Sequence, residues 1–561
     1  MKKTILLLAF LAFSLSLSAQ VRMAERTYVS TDRDVYVAGD RIWCSAFCTD
    51  EKGALSQISS VAYLELHGTS SMAAASRIAL VGGRGAGYLD LPPALPTGNY
   101  RLIAYTAQNV AEEGYDYEGI ASKIISVFNV LTNERLEGGV EVVTPEEYEA
   151  LPQDDRQEKG QDLMLSWENG SLVVENCGNQ PVTVSVSVSH DDGLRSCGNP
   201  GIAAFVAGAR KAVYGKVNGD RLPDYEGEVI RGRVVGFSEE MIPQLTGRYA
   251  FISSPSDKSD VYAAPIMSDG SMTFYTGGIF GDKECICEIE NIDPKFSCHV
   301  ELISPYVNAK LSPAPALKIS ESLAGKLERR SVAMQLERRF ASDTLYEFLP
   351  RRTDGLFDED VVVRYMLDDY TRFTTMEEVF IEFVSEIRAR RRSDGSRDIK
   401  VRLSDAGRDA VFSSNQTLMM LDGVPVFNQQ KIMDYDPLLV ESVDIYPYTH
   451  FIGNRIFEGV VNFVTYRRNL PSFPFDGNAR VIDYQGICYP MAVSAEAVSG
   501  EKNYPNYRQT LIWQPLLELA AGERIELRCA APLYKGEFKA VAEGLTVSGE
   551  AVGGHIHFDL R

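Results

Sequence analysis

Hydrophobic and polar residues alternate with a period of two over much of this chain. Residues 21 to about 130 carry runs such as TYVSTDRDVYVAGDRIWCSAFC, SSVAYLELHG and TGNYRLIAYTAQN, punctuated by Gly and Asp. Short alternating strands bounded by turn residues predict a β-sandwich. Gly39 and Asp40 supply a turn, and Gly98 with Asn99 starts a strand that carries Tyr100, Leu102 and Ala104 on one face. Further along, Val182, Val184, Val186 and Val188 line one strand face against Thr and Ser on the other, the mark of a second sandwich. A third β unit begins at YEGEVIRGRVVG, residues 225–236, and continues through SDGSMTFYTGGIFGDKECICEIENI. Alternation returns in the last stretch, from YRQTLIWQP onward.

Between these regions the period lengthens. The spacing of Leu323, Leu327, Met334 and Leu336 in ALKISESLAGKLERRSVAMQLERRF is loosely helical. TMEEVFIEFVSEIRARRR is more regular, with Val379, Phe380, Phe383, Val384 and Ile387 forming one apolar helical stripe. Acids at Glu377 and Glu378 and arginines at the other end suit the helix dipole. The segment ERLEGGVEVVTPEEYEALPQDDRQEKGQD is acidic and lacks apolar periodicity, so it reads as a linker.

Several of these stretches resemble known modules. STDRDVYVAGDRIWCSAF followed by YLDLPPALPTGNYRLIAYT looks like the second macroglobulin-type domain, MG2, of α2-macroglobulin-like proteins. LMMLDGVPVFNQQKIMDYDPLLVESVDIYP with FEGVVNFVTY resembles the plug domain of TonB-dependent outer-membrane receptors, the helix before DIKVRLSD fitting its mixed α/β arrangement. In that resemblance Asp422, Gly423, Val424 and Pro425 form the DGVP turn, and Gly459 and Asn462 belong to the last strand. Residues 223–312 are similar to the regulatory-like sandwich of carboxypeptidases and of Bacteroidetes-type receptors.

The expected fold is therefore mainly β, with tandem immunoglobulin- or macroglobulin-like β-sandwiches plus one mixed α/β plug-like domain. The expected boundaries are a signal peptide at 1–19, an MG2-like sandwich at 20–133 and an acidic linker at 134–160. A second sandwich follows at 161–222, the regulatory-like sandwich at 223–312, a helical connector at 313–345, the plug-like domain at 346–472 and a macroglobulin-like sandwich at 473–561.

MKKTILLLAFLAFSLSLSAQ has two lysines, a short apolar run and small residues before a cut after Ala19, which reads as a secretory signal. Gln20 rather than cysteine follows the cut, which disfavours lipidation. The expected location is thus exported: periplasmic or outer-membrane-associated, with the cell surface open. A formal net charge of −21 argues against nucleic-acid binding, which needs clustered cations. The one basic cluster, RARRRSD at 388–394, is diluted by acids and reads as a solvated loop or helix end. Nine cysteines leave at least one unpaired within a monomer; Cys177 and Cys197 bracket one β segment and could pair.

Chemistry is sparse. HExxH, GxSxG, Walker and GxGxxG patterns are all missing from the sequence. Cys285 and Cys287 share a strand face and with Cys298 and His299 could sketch a metal site, against the reading of buried thiols. His555 and His557 would share a strand face but lack a third ligand, and His67, His190 and His299 stand alone. Asp32 and Asp34 lack the glycine and terminal Glu of a calcium loop. No Cys-Gly-Glu-Gln thioester tetrapeptide occurs, so covalent protease capture is not expected, and too few strands follow the plug-like segment for a receptor barrel. No catalytic residue, cofactor or metal is assigned. The favoured function is a non-enzymatic envelope protein whose plug-like unit docks on an outer-membrane or periplasmic protein assembly. The alternatives are a glycan- or peptide-binding accessory of nutrient uptake or adhesion, built on some of the 27 tyrosines, and a hydrolase with an unrecognised site.

Overall fold

The computed structural model describes residues 24–119, 121–151, 162–218, 224–238, 240–255, 260–292, 298–340, 346–348, 363–391, 397–404, 411–489, 491–493, 506–533 and 535–560. The expected signal peptide lies outside them. The architecture is mainly β, with sandwiches and one mixed α/β sheet, distributed over two compact units. One unit comprises Met1–Tyr225, Tyr306–Leu349 and Pro490–Arg561; the other comprises Glu226–Pro305 and Pro350–Tyr489.

In the first unit, strands Glu25–Thr31, Arg41–Asp50 and Arg84–Asp90 form one sheet of a sandwich. Its second sheet has the order Val35–Val37, Lys123–Phe128, Gly98–Tyr105, Val61–His67 and Met72–Ala79. Tyr100, Leu102 and Ala104 point together into its core with Ile42, Cys44, Leu64 and Val127, as the alternation requires. The turn at Gly39 has φ 93°.

The second sandwich departs from the expected boundaries. Leu163–Glu168, Ser171–Asn176 and Arg524–Arg528 form one sheet, and Thr510–Leu519, Val182–His190, Gly536–Thr546 and Ala551–Leu560 the other. Val182–His190 pairs antiparallel with a strand on each side, both from the C-terminal region. The segments expected as two separate sandwiches, 161–222 and 473–561, thus complete one core, in which Val182, Val184, Val186 and Val188 are buried with Leu517, Ala540 and Val552. Period-two patterning marks strands but does not name their partners.

The other face of Val182–His190 is buried as well, against the first sandwich, and it is polar. Ser185 donates to the Ser30 hydroxyl at 2.8 Å, Ser187 donates to the Asp32 carbonyl at 3.0 Å, and Thr510 donates to the Asp32 carboxylate at 2.6 Å. Glu543 is the centre of this seam. It accepts from Tyr28 at 2.9 Å and Ser30 at 2.5 Å, and lies 3.7 Å from the ammonium of Lys123, whose side chain is 1% exposed. The helix Ile202–Ala209 wedges Phe205 and Val206 between Tyr28, Phe47 and Leu545 beside it.

The acidic linker is partly structured. Val140–Val142 pairs in parallel with Leu317–Ile319, and Thr144 caps the helix Pro145–Glu149, which buries Tyr148. Tyr148 packs with Leu317, Leu323 and Met334, the last on the expected helix, observed at Ala324–Phe340. Residues 152–160 of the linker lie outside the described residues.

In the second unit, Ser271–Tyr275, Val229–Val235 and His299–Leu302 face Asp260–Pro265, Tyr249–Ser254, Asp282–Ile289 and Ala479–Gln485 across a third sandwich core. Its last strand comes from the region expected to open the C-terminal sandwich, so residues 473–489 belong here instead. A mixed five-stranded sheet follows the order Val363–Met366, Val440–Ile452, Arg455–Thr465, Leu418–Leu421 and Val424–Pro425. Helices Met376–Glu382 and Gln429–Met433 pack Val379, Phe380 and Ile432 against Val443, Ile445, Val461 and Phe463 of that sheet. The expected long helix is shorter than its stripe. It ends at Glu382, and Ile387–Arg391 turns into a strand paired with Arg397–Val401. Val384 and Ile387 still reach the core, from a turn and a strand, so the same apolar spacing is satisfied by a different backbone.

All three tryptophans, Trp43, Trp167 and Trp513, lie in the first unit, so their fluorescence follows its unfolding alone. Glu543→Ala removes the seam's carboxylate from a buried ammonium and two buried hydroxyls, and is expected to destabilise the first unit by about 3–5 kcal/mol. The check is the urea midpoint of the tryptophan transition; an unchanged midpoint refutes the role assigned to Glu543.

Candidate functional site

The motif residues come together as a clasp at one edge of the mixed sheet. Leu421 pairs with Val424 across a two-residue turn in which Asp422 and Gly423 have φ 49° and 81°. Positive φ at both central positions makes this a tight hairpin turn suited to Asp-Gly. The Asp422 carboxylate accepts from the Thr465 amide at 2.6 Å, the Thr465 hydroxyl at 2.7 Å and the Leu470 amide at 2.8 Å. Asn462 accepts from the Gly423 amide at 3.0 Å. Val424 and Pro425 form the edge strand, where a proline costs no ladder bond. Gly459, at φ 79°, sits where a Cβ would lie 2.9 Å from the Val401 Cβ. The oxygens of Asp422 and Asn462 named here are directed into the protein, so these residues tie the turn to the strand Arg455–Thr465.

The other sequence candidates separate. Cys285 and Cys287 do share a face, but with Cys298 they are buried in the apolar core of the third sandwich among Ile252, Ile289 and Val300. Burial there pushes the Cys285 and Cys287 thiols up to about 12. Cys285, Cys287, Cys298 and His299 form no metal-ligand cluster among the described residues. All nine cysteines are unbonded, Cys177 and Cys197 included. The Asp32 carboxylate accepts from the Trp43 amide at 3.0 Å, the Tyr36 hydroxyl at 2.7 Å and Thr510, which makes it a structural hub rather than a calcium ligand. His67 is 2.7 Å from Glu65, which also accepts from Tyr105 and from the Val307 amide. Burial alone would raise the Glu65 pKa, and the hydrogen bonds from His67, Tyr105 and the Asn308 amide more than reverse it. Within 388–391, Arg388 lies over the Phe412 ring at 4.2 Å.

A cleft of about 120 Å³ opens in the first unit, lined by Asp32, His190, Asp191, Asp192, Arg330 and His557 among others. Arg330 grips Asp192 through two nitrogens and donates to the Val35 carbonyl at 3.0 Å. Burial would raise the Asp192 pKa, but the Arg330 charge and hydrogen bonds hold it below the ordinary value. Burial lowers His190 more than the neighbouring Asp192 charge raises it. In the cleft wall, His557 Nδ1 lies 3.4 Å from Glu537 and 3.9 Å from Asp191. The sequence offered His555 as the partner of His557. These carboxylates come instead from positions far apart in the chain, and only the pairing of Gly536–Thr546 with Ala551–Leu560 brings Glu537 near.

In the second unit, Glu288 is half-buried near Lys431 and Asp476, which are themselves paired at 2.8 Å. Desolvation, then the charge of Asp476, pushes the Glu288 carboxyl up to about 8, with Lys431 opposing.

No family model and no curated protein matches the chain. Among solved structures it is similar to Salmonella α2-macroglobulin reacted with methylamine, at 8% identity and TM-score 0.23, over 96% of this chain and 40% of that one. Trypsin-activated α2-macroglobulin from Escherichia coli aligns at 8% identity and TM-score 0.23, over 95% and 41%. Dimeric latent PorU from Porphyromonas gingivalis aligns at 9% identity and TM-score 0.16, over 50% and 33%. The chain thus spans about two fifths of the length of these macroglobulins. Scores this low do not establish a common fold along the chain, and the functional reading rests on its own residues.

Two measurements follow from this geometry. Asp422→Ala strands two amides and a hydroxyl and is expected to cost the second unit about 3 kcal/mol or more, while Gly459→Ala costs about 1–3 kcal/mol through strain at positive φ. Hydrogen exchange at residues 418–425 and 459–470 should rise in both; protection equal to the parent chain would remove the clasp. A carboxyl raised in the folded state favours folding fully below its unfolded pKa, near 4.5, and the advantage is lost as pH rises to about 8. The calorimetric midpoint of the second unit should therefore fall between pH 5 and pH 8, and fall less in Glu288→Gln. Equal pH slopes would refute the shift.

Proposed function

We propose that the chain is a non-enzymatic interaction protein of the cell envelope, and that its second unit docks on an outer-membrane or periplasmic protein assembly. The observation that carries this reading is the tip of the hairpin made by Val440–Ile452 and Arg455–Thr465. Phe451 and Ile456 are cross-strand neighbours there, 64% and 49% exposed. Next to them Ile452 and Phe457 are buried against Phe251 and Val261, so the stem is held while the apolar pair faces outward. The Asp422 clasp fastens the other end of the strand Arg455–Thr465. A rigid apolar pair binds without first having to be ordered, which is what a small docking anchor needs. The secretory signal expected at residues 1–19, with the MG2-like and plug-like resemblances, supports an envelope setting. The internal use of Asp422 and Asn462 supports a plug-like motif retained as scaffold.

A second reading, an accessory that binds glycan or peptide, has one observation in its favour. Tyr370 stacks on Phe383 with ring centroids 4.2 Å apart and planes 2° apart, and Tyr370 is 41% exposed. A braced, outward-facing ring is a platform for a sugar ring or a flat side chain.

The deciding experiment is affinity purification of the tagged full chain from gently solubilised host envelopes. The parent chain is expected to recover an envelope protein in stoichiometric amount, and Phe451→Ser/Ile456→Ser to lose it about ten-fold or more with no change in melting temperature. Recovery of the chain alone, or unchanged capture by the double variant, overturns the docking reading. A glycan-induced rise in melting temperature abolished by Tyr370→Ala would put the second reading in its place.

A further inference from the structure

We infer that Asp191, Glu537 and His557 form a divalent-cation site of the zinc class that fastens the edge strand Ala551–Leu560 to the body of the second sandwich. The strand is the last in its sheet, paired on one side only, with Gly536–Thr546. His557 stands on it, Glu537 on the adjacent strand, and Asp191 just beyond the strand Val182–His190, so one ion would bridge three successive segments of the sheet edge. The Asp191 amide already donates to the Glu537 carbonyl at 2.9 Å, which fixes two of the three backbones relative to each other.

The spacing is what distinguishes a ligand set from an ion pair. A charged hydrogen bond brings nitrogen and oxygen to about 2.7–2.9 Å. His557 Nδ1 instead stands 3.4 Å from Glu537 Oε1 and 3.9 Å from Asp191 Oδ2, and one donor atom from each residue lies within 4.8 Å of the others. A tetrahedral ion with bonds of about 2.0–2.2 Å holds its ligand atoms about 3.3–3.6 Å apart, so small rotations of half-exposed side chains complete the geometry. An imidazole among the ligands selects zinc-like ions over calcium and magnesium, which take oxygen. Lys539 lies directly opposite His557 in the pairing, and Arg330 of the same cleft is taken up by Asp192. His557 and Asp191 also line the cleft, which leaves room for a water molecule as a fourth ligand.

Among the described residues this is the one group of three or more His, Cys, Asp and Glu side chains that meets that spacing. It also gives His557 a role that the proposed docking function leaves unused, and it stands whether or not that function holds.

The test uses the full chain with the exposed thiols of Cys177 and Cys197 alkylated, titrated with Co²⁺ and, by calorimetry, with Zn²⁺. One equivalent is expected to bind with visible d–d absorption typical of nitrogen and oxygen ligands, and Zn²⁺ to raise the melting temperature of the tryptophan-reported transition. His557→Gln and Glu537→Gln should each weaken binding about ten-fold or more and remove the thermal shift, while His555→Gln leaves both intact. The inference is overturned by no stoichiometric binding, by binding that survives both substitutions, by loss of binding in His555→Gln, or by a thiolate charge-transfer band in place of d–d bands.

Discussion

The first unit depends on a carboxylate placed where hydrophobic packing gives no direction. Glu543 lies in a seam between two sandwiches whose facing surfaces carry serine, threonine and tyrosine hydroxyls as well as apolar groups. Apolar surfaces can slide over one another with little loss, whereas a buried acceptor that loses its donors is penalised at once. One orientation of the sandwiches lets Glu543 meet Tyr28, Ser30 and Lys123 while Asp32 meets Thr510, and that orientation also aligns the segments that line the charged cleft. The polar seam therefore selects the arrangement, and the apolar helix Ile202–Ala209 adds area to it.

In the second unit the same device appears on a smaller scale. Asp422 collects two amides and a hydroxyl from Thr465 and Leu470, so a turn of two residues is tied to the end of the long hairpin. The residues of this turn are thus scaffold residues. A motif of this kind travels with the fold and says little about what the fold touches. Under the proposed docking function, contact is made elsewhere, by the exposed pair Phe451 and Ile456.

What was legible in the sequence divides along a physical line. Local rules could be read directly: the alternating valines of 182–188, the Gly39 turn and the Asp422–Gly423 turn all stand where their neighbours in the chain place them. Nonlocal pairing could not be read. Nothing in the residues around Val182 announces that its partners begin at Thr510 and Gly536, and nothing around His557 names Asp191. The arginine-rich stretch follows the same rule: apolar spacing at Phe383, Val384 and Ile387 is compatible with helix or strand, and pairing with Arg397–Val401 decides it. Acidity likewise concealed the single buried ring, Tyr148, that orders part of the linker.

The strand Val182–His190 has both its neighbours in the last tenth or so of the chain. A polypeptide made amino-terminus first must therefore hold a valine-rich strand with two bare edges until residues 510–546 have been made. Such a strand is the kind of template on which chains join to one another, and closing so wide a loop is slow. For this fold the hazard lies in the interval before folding rather than in the finished molecule, and a chaperone that shelters one strand for that interval would meet it.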